Sequence, residues 1–129
     1  MTATAWNEQE LAEIDAHDEV RIASVRKDGT LTSGRIIWAV RLDDEVYVRS
    51  VNGRDSAWFR GTRARNEGRI EVGGLTKDVA FVDIDASDEI EDRIDRAYAS
   101  KYRDYAKSIV DHINSPEARA ATIRLVPRQ

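Results

Sequence analysis

The sequence predicts an α+β domain that is mainly β: six antiparallel strands in a barrel or strongly curled sheet, with a helix at the N-terminus and a long helix before the last strand. Three observations carry this. Short strand-like runs recur between turn dipeptides such as Asp28-Gly29, Asp43-Asp44 and Asn52-Gly53. Most connections are too short for the crossovers that parallel strands require. One late segment instead repeats its apolar residues every three or four positions, the helical period. Closing the sheet would also remove exposed strand edges.

Taken in order, Asn7 followed by Glu10 fits a capping box, and Trp6 with Leu11 fits a hydrophobic staple, so a short helix begins here and ends near His17. Val20 to Val25 reads as the first strand, and Asp28-Gly29 supplies the positive φ of a tight hairpin turn. The second strand runs from Arg35 to Leu42, Asp43-Asp44 turns the chain, and the third strand, Glu45 to Val51, closes at Asn52-Gly53. Three strands in succession predict a meander. From Asp55 or Ser56 to Asn66 the alternation stops, and Ser56 caps a short helix carrying Ala57, Trp58 and Ala64. Arg69 to Gly73 and Val79 to Ile84 are the fourth and fifth strands, joined through Leu75 to Asp78. The longest helix starts at an Asp88 cap with Glu91 three positions on, and its core-facing stripe is Ile90, Ile94, Ala97, Tyr98, Tyr105, Ile109 and Ile113. Ser115-Pro116 stops it, and Ala121 to Val126, before Pro127, forms the sixth strand.

With 129 residues the chain fits one domain over 1–129, long enough to bury roughly two-thirds of its unfolded surface. It contains no cysteine, which excludes disulfides, thiol nucleophiles and Cys-held metals together. The only histidines, His17 and His112, have no ligand-spaced neighbours, so no metal site is expected. A G-x-S-x-G elbow, a P-loop and a G-x-G-x-x-G turn are all missing. Nowhere do about 18 apolar residues run together, so no membrane span is expected, and the acidic N-terminus is unlike a signal peptide. A cytoplasmic protein follows.

Charge is unevenly distributed. Arg49 to Arg69 holds six arginines against Asp55 and Glu67, 6 − 2 = +4, in a chain of formal net charge −4. The stretches Glu8 to Glu19 and Asp83 to Asp95 each sum to −6 and coincide with helix starts, where acidic side chains suit the helix dipole. They read as solvated helix ends.

The basic segment Val46 to Gly61 is the candidate site. Arg49, Ser50, Arg54, Ser56 and Arg60 put guanidinium forks and hydroxyls at a strand end beside Gly53, a set that suits an anion such as phosphate. If Asp43-Asp44 forms a two-residue loop, Val40 faces Tyr47 and Trp38 faces Arg49. A cation–π contact of about 0.5–2 kcal/mol would then fix the guanidinium on the indole. The competing reading makes these arginines partners of surface carboxylates, with Trp38, Tyr47 and Trp58 as core or subunit-contact aromatics. Arg35 and Arg41 read as salt-bridged and exposed. A basic and aromatic mixture also suits nucleic acid, but the overall acidity opposes it.

Several blocks carry a resemblance: Ile37-Trp38-Ala39-Val40, Tyr47-Val48-Arg49-Ser50-Val51-Asn52-Gly53-Arg54, Trp58-Phe59-Arg60, Gly68-Arg69-Ile70, Ala97-Tyr98 with Lys101-Tyr102, and Ala121 to Pro127. In this order and spacing they resemble the domain of unknown function 2255 family. More distantly, Ser50, Gly53 and Trp58 are similar to the matching positions of the deazaflavin-dependent nitroreductase family, with departures at Asn52, Gly61 and Glu67. The resemblance implies a six-stranded antiparallel split β-barrel, a homodimer, and an FMN or deazaflavin cofactor in a groove at the subunit interface. It implies a flavin- or deazaflavin-dependent oxidoreductase acting on a small molecule, with Trp38, Tyr47, Arg49, Ser50, Gly53, Arg54, Trp58 and Arg60 around the cofactor. Arg49, Ser50 and Arg54 would anchor the phosphate, while Tyr47 or Trp38 would contact the ring. Tyr98, Lys101 and Tyr102 read as packing and interface residues. The alternative is a non-catalytic dimeric module that binds a small anionic ligand or nucleotide and needs no redox cofactor; no residue is assigned a catalytic role.

Overall fold

A computed structural model describes residues 5–84 and 88–128, with Asp88 described in its backbone only. The first helix, α1 (Glu8–Ala16), carries the capping box: the Asn7 side-chain oxygen accepts from the Glu10 backbone N–H at 2.8 Å, and the Glu10 carboxylate accepts from the Asn7 backbone N–H at 3.0 Å. Trp6 and Leu11 are both buried, and the Trp6 indole donates to the Leu125 carbonyl at 2.9 Å. Strand β1 (Val20–Ser24) leads into a loop in which Gly29, at φ +91°, closes a turn onto Arg26.

The chain then departs from the expected meander. The predicted second strand is two strands, β2 (Arg35–Ile37) and β3 (Ala39–Leu42), separated by Trp38. β2 pairs with β1, whereas β3 pairs with β4 (Glu45–Arg49). The helix α2 (Ala57–Thr62) follows a 3₁₀ turn at Gly53–Asp55, and Ser56 caps it by accepting from the Phe59 amide. β5 (Glu67–Val72) and β6 (Leu75–Asp83) form a hairpin around Gly73-Gly74, so Leu75 to Asp78, expected as a connection, are paired strand residues. Among the described residues the sheet has seven strands, not six, in the order β2-β1-β5-β6-β7-β4-β3, where β7 is Thr122–Pro127. Every pairing is antiparallel. Because β2 and β3 lie at opposite ends of this order and one residue joins them, the sheet must curl until its ends meet at Trp38. The result is a nearly closed barrel.

The single long helix is likewise broken. α3 (Asp88–Lys101), α4 (Lys107–Ile113) and α5 (Pro116–Arg119) replace it. The cap expected at Asp88 depends on a side chain outside the described residues. No glycine or proline marks the break after α3; instead the Tyr102 hydroxyl donates to the Asp18 carbonyl at 2.6 Å, tying the end of α3 to the start of β1. Tyr105 and Ile109 consequently leave the core stripe and stand 37% and 50% exposed.

Alternate residues of the strands fill the barrel: Val20, Ile22, Val46, Val48, Ile70, Val72, Val79, Phe81, Ile123 and Leu125, closed at one end by Leu11 and Ile14 of α1. A second cluster lies on the other face of β3 and β4, where Val40 and Tyr47 pack with Ile94, Tyr98, Tyr102, Val110 and Ile113. Buried on both faces, β3 and β4 hold the helical layer to the barrel.

Candidate functional site

A groove of about 420 Å³ opens where the barrel seam meets α2 and α4. Its walls are Ile36, Ile37 and Trp38 from the seam, Ser50 to Asn52 after β4, Ser56 to Trp58 at the start of α2, and Ile109 and Ile113 of α4. The rim is apolar, with Ile36 and Ile109 each 50% exposed and Val51 37%. A smaller hollow of about 270 Å³ shares Arg35, Ala57 and Trp58 with it and adds Ser24, Arg26, Thr32 and Ser33. An apolar hollow thus adjoins a polar, basic one, at a size that suits a small ligand.

Trp38 is held rigidly in the seam. Its indole stacks on Tyr102 with centroids 3.9 Å apart and planes 6° from parallel, and Tyr105 meets it edge-on at 4.8 Å. The Tyr98 hydroxyl donates to the Trp38 carbonyl at 3.1 Å, which satisfies the backbone where the strand changes partner.

Arg49 lines the groove, but its side chain is fully buried and its guanidinium is engaged with α3. It donates to Glu91 at 2.8 Å, Asp95 at 2.6 Å, Asn114 at 3.0 Å and Thr122 at 3.0 Å. The hairpin register is the expected one, with Val40 opposite Tyr47. The expected cation–π contact is corrected: the guanidinium lies 5.5 Å from the Tyr98 ring, while Trp38 stacks on Tyr102. Strand alternation is the reason, since Arg49 shares the face of Tyr47, which looks onto α3. Glu91 and Asp95 are correspondingly not solvated helix ends. Their positions lie on the same helical stripe as Ile94 and Tyr98, and this was the sequence signal that they face inward.

Of the other expected site residues, Ser50 and Trp58 line the groove. The Ser50 and Ser56 hydroxyls are 2.7 Å apart. Gly53, at φ +79°, starts the 3₁₀ turn, and Arg54 donates to the Ala120 carbonyl at 2.8 Å with its guanidinium over Phe59. Tyr47 is buried in the second core cluster, and Arg60 is exposed on α2. Tyr47, Gly53, Arg54 and Arg60 do not line the groove.

Arg35 does line it. Arg41 is salt-bridged as expected, at 3.0 Å from Glu8, but Arg35 has no ion pair or side-chain hydrogen bond among the described residues. Exposed at the junction of the two hollows, it is the free cation of the site. The ionisable side chains lining the larger groove are, among the described residues, Arg35 and Arg49. Among the described residues no cluster of three or more His, Asp or Glu is placed to hold a metal, and no helix is long and apolar enough to cross a membrane.

Comparison with known proteins places this geometry. No curated protein matches the chain by sequence. Among solved structures, the heme storage protein HutZ from Vibrio cholerae shares 15% identity at a TM-score of 0.62, over 95% of this chain and 90% of its own. An F420-H2-dependent reductase shares 12% identity at a TM-score of 0.61, over 85% of this chain and 94% of its own. The FAD- and heme-binding protein of Mycobacterium smegmatis shares 19% identity at 0.61, over 97% of this chain and 66% of its own. At these identities the likeness shows a shared fold. A family described as an uncharacterized protein conserved in bacteria, DUF2255, matches residues 10–125, and the chain belongs to that family.

Proposed function

We propose that the protein is a flavin- or deazaflavin-dependent oxidoreductase acting on a small molecule. The observation that carries this is the uncommitted Arg35 guanidinium between an apolar, aromatic hollow and a hydroxyl-lined basic one. Such a pair fits a flat heteroaromatic ring joined to a phosphate. Ile37, Trp38, Trp58 and Ile113 would hold the ring, and Arg35 with Ser24, Ser33 and Arg26 would hold the phosphate by charge-assisted bonds. The cofactor supplies hydride transfer; the chain binds and orients it and excludes water. Proteins of this fold named for F420-H2 and for FAD support the reading. The apolar rim of Ile36, Val51 and Ile109 supports a homodimer closing over the groove.

The same walls favour one alternative, a non-catalytic module that binds a small anionic ligand through Arg35. The absorption spectrum of freshly purified protein and a thermal-shift panel separate the two. A flavin or deazaflavin at about 100 times its dissociation constant adds about 2.7 kcal/mol of stability and raises the melting temperature. Arg35→Ala should remove most of that gain, whereas Arg60→Ala should keep it. A colourless protein stabilised by inorganic phosphate but by no flavin supports the module instead.

A further inference from the structure

Three tyrosines surround Trp38, and their environments differ in a way that packing does not require. The Tyr98 hydroxyl donates to the Trp38 carbonyl, and the Tyr102 hydroxyl to the Asp18 and Ala39 carbonyls. Only Tyr105 donates to a carboxylate, that of Asp18 at 2.9 Å, among the hydrogen bonds of these three. The rings carry opposite electrostatics. The Arg49 guanidinium lies 5.5 Å from the Tyr98 ring and the Lys101 ammonium 5.2 Å from the Tyr102 ring. A cation over a ring opposes a positive charge arising on it, and the Asp18 anion beside Tyr105 favours one. A phenol that loses an electron also loses its proton, and a carboxylate accepts that proton where a backbone carbonyl cannot. Tyr105 alone of the three combines a base, an anion and an exposed position, and its ring lies 4.8 Å from that of Trp38, which faces the groove.

We propose that Trp38 and Tyr105 form an outlet that carries oxidising equivalents from the groove to the surface. A one-electron oxidant in the groove, of the class of nitrogen- or oxygen-centred radicals, takes one electron from the Trp38 indole and is reduced. The indole recovers that electron from Tyr105, whose phenolic proton passes to the Asp18 carboxylate. The products are the reduced oxidant, a Tyr105 phenoxyl radical and a protonated Asp18. Tyr102 acts by position: its stacking fixes the indole edge that Tyr105 meets, while the Lys101 ammonium keeps positive charge off the Tyr102 ring.

Pulse radiolysis of the full chain with azide radical as the oxidant tests this without any cofactor, so its outcome is separate from the flavin reading. In the wild-type protein the indolyl absorption should decay as phenoxyl absorption grows, at a rate independent of protein concentration. Tyr105→Phe keeps the ring but should lose most of that concentration-independent phenoxyl yield. Asp18→Asn keeps an acceptor for the hydroxyl but removes the base, and should slow the growth. Trp38→Phe should abolish it, and Tyr98→Phe should leave it unchanged. Tyr105 and Asp18 are exposed, so both variants should fold. Wild-type phenoxyl yield and rate in Tyr105→Phe, or in Asp18→Asn, would overturn the proposal.

Discussion

The ammonium of Lys101 donates to the Ile14 carbonyl at 2.8 Å and to the Ala39 carbonyl at 2.6 Å, joining the last turn of α1 to β3 directly behind Trp38. Burial pushes its pKa down to about 8 from 10.5, against the opposing pull of Asp15 and Asp18. The unfolded chain therefore binds this proton more tightly than the folded one. Below pH 8 burial of the charge opposes folding in full, and between pH 8 and 10.5 that penalty falls away. The contribution of Lys101 to stability thus rises with pH across this window. Denaturant midpoints of wild type and Lys101→Met, compared from below pH 8 to 10.5, isolate the effect. The wild-type midpoint should climb relative to that of the variant; a constant difference would mean that the ammonium stays charged when folded. Tyr98 and Tyr102, both raised by burial, give the opposite slope at the alkaline end in both proteins, and the comparison removes it.

Arg49 does at the scale of elements what Lys101 does locally. Its five donors reach Glu91 and Asp95 on α3, Ile113 and Asn114 at the end of α4, and Thr122 on β7, from a position on β4. Arg119 of α5 adds a second cation to Asp95 at 3.2 Å. Removing one partner of such a set leaves buried charge uncompensated, at about 3–5 kcal/mol. Arg49→Met should cost that much in denaturant unfolding. The double change Arg49→Met with Glu91→Leu should recover part of it, since a buried pair replaced by apolar groups is often neutral. A single-variant cost below about 1 kcal/mol, the range of exposed pairs, would show that the guanidinium is solvated. This network also marks the limit of what was legible beforehand. Local signals were read correctly: the Asn7 capping box, the Asp43-Asp44 hairpin register and the Ser56 cap, whereas Ser115-Pro116, expected to stop a helix, starts α5. The change of partner at Trp38 was not legible, because alternation continues through the residue and only closure of the sheet separates β2 from β3. The break after α3 was not legible either, since tertiary hydrogen bonds of Tyr102 make it. Of the residues expected at the site, Trp38, Ser50 and Trp58 line the groove, and Arg49 borders it with its guanidinium committed to Glu91 and Asp95. Arg35 was read as a salt-bridged surface residue, because freedom from an ion pair depends on neighbours distant in sequence.

For the molecule as a whole, the groove and its rim set the remaining expectation. Ile36 and Ile109, each half-exposed, flank the groove with Val51, and β2 is a terminal strand of the sheet. Contiguous apolar surface of this kind marks contact with a partner or ligand. A second copy related by a two-fold axis would bring the same rim against itself, burying β2 and closing the groove in one step. Sedimentation equilibrium of the wild-type chain should then give twice the chain mass, and Ile36→Glu with Ile109→Glu should give the chain mass. These side chains stand outside both core clusters, so the double variant should keep its fold. Because the groove is closed by the partner in this arrangement, ligand affinity should fall together with dimerisation, even though Arg35 is intact. Affinity that survives in a monomeric variant would assign the rim to assembly alone, and a monomeric wild type would leave the rim to the ligand.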